Sequence, residues 1–153
     1  RGSLVGSMKE YAFRLPISHG LYFSGIIDRI DIYERDDRLY AAIIDYKTNR
    51  LGSIADVQAK ADYYRVQLIS YAWALNQLLY YKGERVKADE AVIYFLSIGQ
   101  AVSIALNDGD MNAIIDELKN SAPALLGNRP FDEYRPVRGQ GCAWCGVTKF
   151  CRV

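Results

Sequence analysis

The chain has 153 residues, half of them hydrophobic and 24% charged, a length that suits one domain around a single buried core. A formal net charge of +1 excludes a strongly basic surface, so any contact with DNA rests on locally placed Lys and Arg. No run of about 18 apolar residues marks a membrane-spanning helix, and the first residues lack the apolar centre of a signal peptide, so a cytoplasmic protein without a membrane partner is expected.

Residues 1–8 are set aside as loop or appended tag residues. Residues 9–126 are expected to form the core domain, and 127–153 an irregular tail carrying all three cysteines. Glu10 to Ile17 alternates loosely and reads as a first strand, with Gly20 in the following turn. Leu21 to Tyr33 is rich in β-branched and aromatic residues and predicts a second strand. The polar run Glu34 to Arg38 predicts a hairpin turn, and Leu39 to Thr48 the returning strand. From Ile54 to Tyr81 the apolar spacing turns helical through Val66, Ile69, Trp73 and Leu78, with Lys82-Gly83 as the stop. Glu90–Ser97 and Gln100–Leu106 predict two strands joined at Ile98-Gly99. Asp108 or Asp110 is expected to cap a helix reaching about Leu126. The order β, ββ, α, ββ, α predicts a mixed α/β sheet flanked by helices.

A two-residue turn at Asp36-Asp37 sets the hairpin register. Arg35 then faces Arg38, Asp28 faces Asp45, and Ile26 faces Lys47. Side chains alternate along a strand, so Asp28, Asp45 and Lys47 share one face with Ile30, Ile32 and Ile43. Two opposed carboxylates repel each other, and a divalent cation such as Mg²⁺ or Mn²⁺ removes that penalty. A lysine two residues further on suits an attacking water or developing phosphate charge. The alternative is a salt bridge between polar positions of half-buried strands. A one-residue slip in register would separate these groups.

Gly25-Ile26-Ile27-Asp28-Arg29-Ile30-Asp31 resembles the G-x-x-D-R-x-D strand of RecB-like PD-(D/E)XK nucleases. Asp45-Tyr46-Lys47-Thr48 resembles their D-Y-K-[ST] motif, and Gln67 with Tyr71 their Q-x-x-x-Y helix. The resemblance implies a restriction-endonuclease-like fold and a DNase, with metal on Asp28, Asp45 and the Tyr46 carbonyl and with Lys47 catalytic. Gln67 and Tyr71, one helical turn apart, would face the site or the DNA backbone. The upstream helix that supplies a further metal ligand in this family has no counterpart here. His19, in a turn nine residues before Asp28, is not assigned that role.

Cys142-Ala-Trp-Cys145 followed by Cys151 forms C-x-x-C-x₅-C, a spacing that grips a metal or an iron–sulfur cluster, although four ligands are the norm. An odd number of cysteines confined to the last twelve residues argues against a disulfide framework. The same spacing closes the C-terminal nuclease domain in the second subunit of AddAB-type helicase–nucleases, where the fourth cysteine lies far upstream. That resemblance implies a [4Fe-4S] cluster in a longer protein, absent from this segment, together with a helicase–nuclease partner subunit and single-stranded DNA as substrate. CRISPR-associated RecB-like nucleases share the arrangement. The sequence contains no phosphate-binding G-x-x-x-x-G-K-[ST] loop for an ATP-driven motor. A non-catalytic DNA-binding or scaffold domain, or a zinc module built on the tail, are the competing readings; the second leaves the hairpin carboxylates unexplained.

Overall fold

A computed structural model describes residues 2–18, 20–127 and 139–146. Strands β1 (Ser3–Ser18), β2 (Leu21–Arg35) and β3 (Arg38–Lys47) form an antiparallel meander. Helix α1 (Ile54–Leu78) follows, then two short strands, β4 (Tyr80–Tyr81) and β5 (Glu84–Arg85), paired as a small hairpin. The chain then enters β6 (Lys87–Phe95), which pairs parallel with β3, and β7 (Gln100–Ile104) closes the sheet antiparallel to β6. The order across this five-stranded mixed sheet is β1-β2-β3-β6-β7. Helix α2 (Asp108–Leu125) comes last. Parallel pairing requires a crossover connection, and α1 supplies it. Ile30, Ile32 and Ile43 from the sheet and Leu68, Ile69 and Leu75 from α1 are fully or almost fully buried, so the core lies between this helix and the sheet. The α/β architecture with a mixed, helix-flanked sheet is the one expected. His19 lies outside the described residues.

Four local expectations need correction. Strand β1 begins at Ser3, inside the span set aside as loop, because Leu4, Gly6 and Met8 pair with Tyr33, Ile32 and Ile30. Gly6 admits the Tyr81 ring, whose hydroxyl donates to the Val5 carbonyl at 2.7 Å. Helix α1 ends at Leu78 rather than Tyr81, and the β4–β5 hairpin turns through Lys82 and Gly83 at φ 50° and 87°. Two successive positive φ values suit a tight hairpin turn, so Gly83 serves that turn and not a helix stop. Asn107, not Asp108 or Asp110, caps α2: its Oδ1 accepts the Asp110 N–H at 2.8 Å and its Nδ2 donates to Asp110 Oδ2 at 2.9 Å. Asp108 and Asp110 lie in the first turn, where negative charge meets the positive end of the helix dipole.

The fourth concerns how far the hairpin ladder extends. The β2–β3 hairpin turns at Asp36-Asp37 with φ 53° and 56°, and Arg35 pairs with Arg38 as expected. The ladder runs back only to Arg29 opposite Ile44 and never reaches a rung between Asp28 and Asp45. On the other side the β1–β2 ladder passes from Lys9–Arg29 to Tyr11–Ile27 without a Glu10–Asp28 rung, and Glu10 has φ 50°. Across this break the buried positions of β2 change phase. Ile30 and Ile32 are buried on one side of it, whereas Ile27 is buried and Ile26 is 58% exposed on the other. Ile26 therefore does not face Lys47.

Candidate active site

Asp28 stands at the break, where its side chain replaces a backbone partner. Its Oδ2 accepts the Tyr46 N–H at 2.8 Å, a group that a continuing ladder would have paired with backbone. An open cleft of about 550 Å³ lies beside it, lined by Lys9, Glu10, Asp28 and Tyr46.

Asp45, the last residue but two of β3, is buried. Lys47 Nζ approaches its Oδ2 to 2.7 Å, and Gln67 Nε2 donates to its Oδ1 at 3.4 Å. Lys47 Nζ also donates to Gln67 Oε1 at 3.2 Å, and Gln67 Nε2 to the Tyr71 hydroxyl at 3.0 Å. Gln67 and Tyr71 lie one turn apart on α1, so the helix presents both to the end of β3. Tyr71 is held edge-on by Phe13 at 5.6 Å, and Gly25 leaves room for both rings, since a Cβ there would meet Tyr71 at 2.9 Å and Phe13 at 3.0 Å. The structure thus joins Asp45, Lys47, Gln67 and Tyr71 in one network.

Burial raises the Asp45 carboxyl above the ordinary carboxylate range, the Lys47 ammonium opposes this, and the Asp28 charge adds to it. Lys47 Nζ, 2.7 Å away, neutralises the buried Asp45 Oδ2, an oxygen with no other polar partner among the described residues. A buried carboxylate oxygen in that state is fitted to a cation. Among the described residues no group of three or more His, Cys, Asp or Glu converges on one point. A cation here would be held by the two aspartates and completed by backbone carbonyl, water or substrate oxygens, as Mg²⁺ commonly is.

Sequence reasoning missed several supporting residues. The Tyr64 ring lies 4.1 Å beneath Lys47 Nζ, and its hydroxyl donates to Asn49 Oδ1 at 3.1 Å. The Asn49 carbonyl accepts from Ser97 Oγ at 2.6 Å, and the Lys47 carbonyl from the Leu96 N–H at 2.9 Å. The signal for Tyr64 was its place three residues before Gln67, on the same helix face. Asp31 is buried and accepts from Arg29 Nε at 2.8 Å and from Ser7 Oγ at 2.7 Å. The Arg29 guanidinium is held firmly charged by Asp31 and by the Tyr46 hydroxyl.

In the tail, Gln140–Trp144 forms one 3₁₀ turn. Cys142 Sγ accepts the Gly139 N–H at 3.3 Å, and the Cys145 N–H donates to the Cys142 carbonyl at 3.3 Å. Cys151 lies outside the described residues.

A mixed sheet built on a three-stranded meander, with acidic residues at the open end of its hairpin and a lysine two residues after the second, defines the restriction-endonuclease-like class. The family model described as the PD-(D/E)XK nuclease superfamily matches residues 3–152, and the chain belongs to that superfamily. Nucleic-acid hydrolysis is the activity class this membership indicates, and its enzymes typically use divalent metals. A solved structure titled "Crystal structure of SSO0001" is similar over 95% of this chain at 14% identity and a TM-score of 0.49. The chain spans 60% of that protein's chain. No curated protein matches the sequence. Among the described residues no helix is long and apolar enough to cross a membrane.

Proposed function

We propose that this domain hydrolyses DNA phosphodiester bonds at a divalent cation, Mg²⁺ or Mn²⁺, held by Asp28 and Asp45. One observation carries the reading: the buried Asp45 carboxylate, raised by burial and further by the Asp28 charge, has an oxygen whose polar neighbour is the Lys47 ammonium at 2.7 Å. When bound, the cation would polarise a phosphoryl oxygen and acidify water. Lys47 holds its positive charge where an attacking water or the phosphate would stand, and Gln67 ties that ammonium to Asp45 and Tyr71. The Tyr46 N–H orients the Asp28 carboxylate, and the Tyr46 carbonyl is a further candidate ligand.

The finer context belongs to the same proposal. The DRID and DYKT segments together with Gln67 and Tyr71 favour a RecB-like exonuclease domain of a DNA-repair helicase–nuclease, acting with a partner subunit in the cytoplasm. Cys142, Cys145 and Cys151 would supply three ligands of a [4Fe-4S] cluster in the longer protein.

End-labelled DNA and RNA of one sequence, incubated with the chain in Mg²⁺, Mn²⁺ or EDTA, test the activity. DNA should shorten in either metal and stay intact in EDTA. Cleavage that persists in EDTA, or that is confined to RNA, would overturn the reading.

A further inference from the structure

Helix α1 carries the site's face further than the site needs. Lys60, Tyr63, Gln67 and Tyr71 follow one another at three- and four-residue steps and form one stripe. Gln67 and Tyr71 belong to the network around Asp45. Tyr63, one turn outward and about 6 Å along the helix axis from Gln67, contributes nothing to the core and is 56% exposed. It is nevertheless held in place: its ring meets that of Tyr64 edge-on at 5.1 Å, and Tyr64 is fixed between Lys47 and Asn49. Lys60 Nζ lies 5.1 Å from the Tyr63 ring centre. Val66, on the next turn, is also 54% exposed. An oriented, accessible aromatic ring with a cation against it, one ring removed from Lys47, has the form of a base-stacking platform. Asp56, a further turn out and hydrogen-bonded to Ser53, ends the stripe with negative charge and limits the platform to about one base.

We infer that Tyr63 stacks an unpaired base of the substrate next to the scissile phosphate, with Lys60 contacting the adjoining phosphate. This rests on the nuclease reading of Asp45 and Lys47 and adds a substrate-positioning residue to it. Paired bases present no free face to a ring at the strand's side, whereas every unpaired base does.

Binding of a fluorescein-labelled, hairpin-free DNA single strand to the chain in EDTA, followed by anisotropy, tests the inference separately from cleavage. Tyr63→Leu should weaken single-strand binding by about tenfold or more, the range of one lost base stack. Tyr63→Phe, which keeps the ring, should retain wild-type affinity, and binding of the matching duplex should not respond to either change. Wild-type affinity in Tyr63→Leu, or an equal loss in Tyr63→Phe or on duplex, overturns the platform; the nuclease reading then still stands if the wild type degrades DNA in Mn²⁺. A wild type that neither binds nor cuts overturns both.

Discussion

Asp45 carries a charge that its surroundings only partly support. Its carboxyl is raised first by burial and further by Asp28, with Lys47 opposing. A carboxyl whose folded pKa lies above its unfolded value destabilises the fold once pH exceeds the unfolded value, and the cost is complete above the folded one. Asp45→Asn should therefore melt higher than the metal-free wild type at neutral pH. Its advantage should shrink as pH falls from the raised Asp45 value towards the ordinary carboxylate range. Thermal melts in EDTA across pH 4–8 check this, and an advantage that grows towards acid would contradict it. Tyr64 offers a second test at this scale. Its ring steadies the Lys47 ammonium and its hydroxyl steadies Asn49. Tyr64→Phe should keep cleavage within about twofold of wild type, whereas Tyr64→Leu should lose about five- to thirtyfold, as expected for a cation–π contact of about 1–2 kcal/mol. Equal rates for the two variants would remove the ring from the account.

The sheet's elements explain how the site opens. Beyond Arg29 and Ile44 the two strands stop pairing, and the Asp28 carboxylate takes the Tyr46 N–H. The hairpin turn, its register and the crossover helix were legible because alternation and turn chemistry are local. The end of the ladder was not, because it depends on Glu10 of the neighbouring strand and on the change of buried phase at Ile26–Ile27. A register extended by rule cannot anticipate that break. Gln67 and Tyr71 were legible as a helical pair, but Phe13, which holds Tyr71, and Tyr64, which lies against Lys47, come from positions that tertiary packing selects. Gly25→Ala should cost about 1–3 kcal/mol, the usual range for overpacking, since the new methyl meets the rings of Tyr71 and Phe13. At the start of α2, Asn107→Ala should cost about 1 kcal/mol and Asp108→Ala less, because only Asn107 accepts the Asp110 N–H. Denaturant midpoints for these variants check both statements, and a larger loss for Asp108→Ala would return the cap to the position first expected.

For the molecule as a whole, membership of the PD-(D/E)XK nuclease superfamily and the placing of Lys47 beside Asp45 point to one reaction centre at the end of β3. Near-neutral net charge leaves substrate attraction to local groups: Lys9 lines the cleft, Lys47 stands beside Asp45 and Lys60 lies on the α1 stripe. The central claim is that Asp45 and Lys47 perform the cleavage. Its most direct measurement is the initial rate of degradation of a labelled DNA single strand in Mn²⁺ by the wild type, Asp45→Ala and Lys47→Ala, with circular dichroism to show that each variant is folded. The account predicts a metal-dependent wild-type rate and a loss of at least about 100-fold in each folded variant. A folded Lys47→Ala or Asp45→Ala that cuts at the wild-type rate would contradict it.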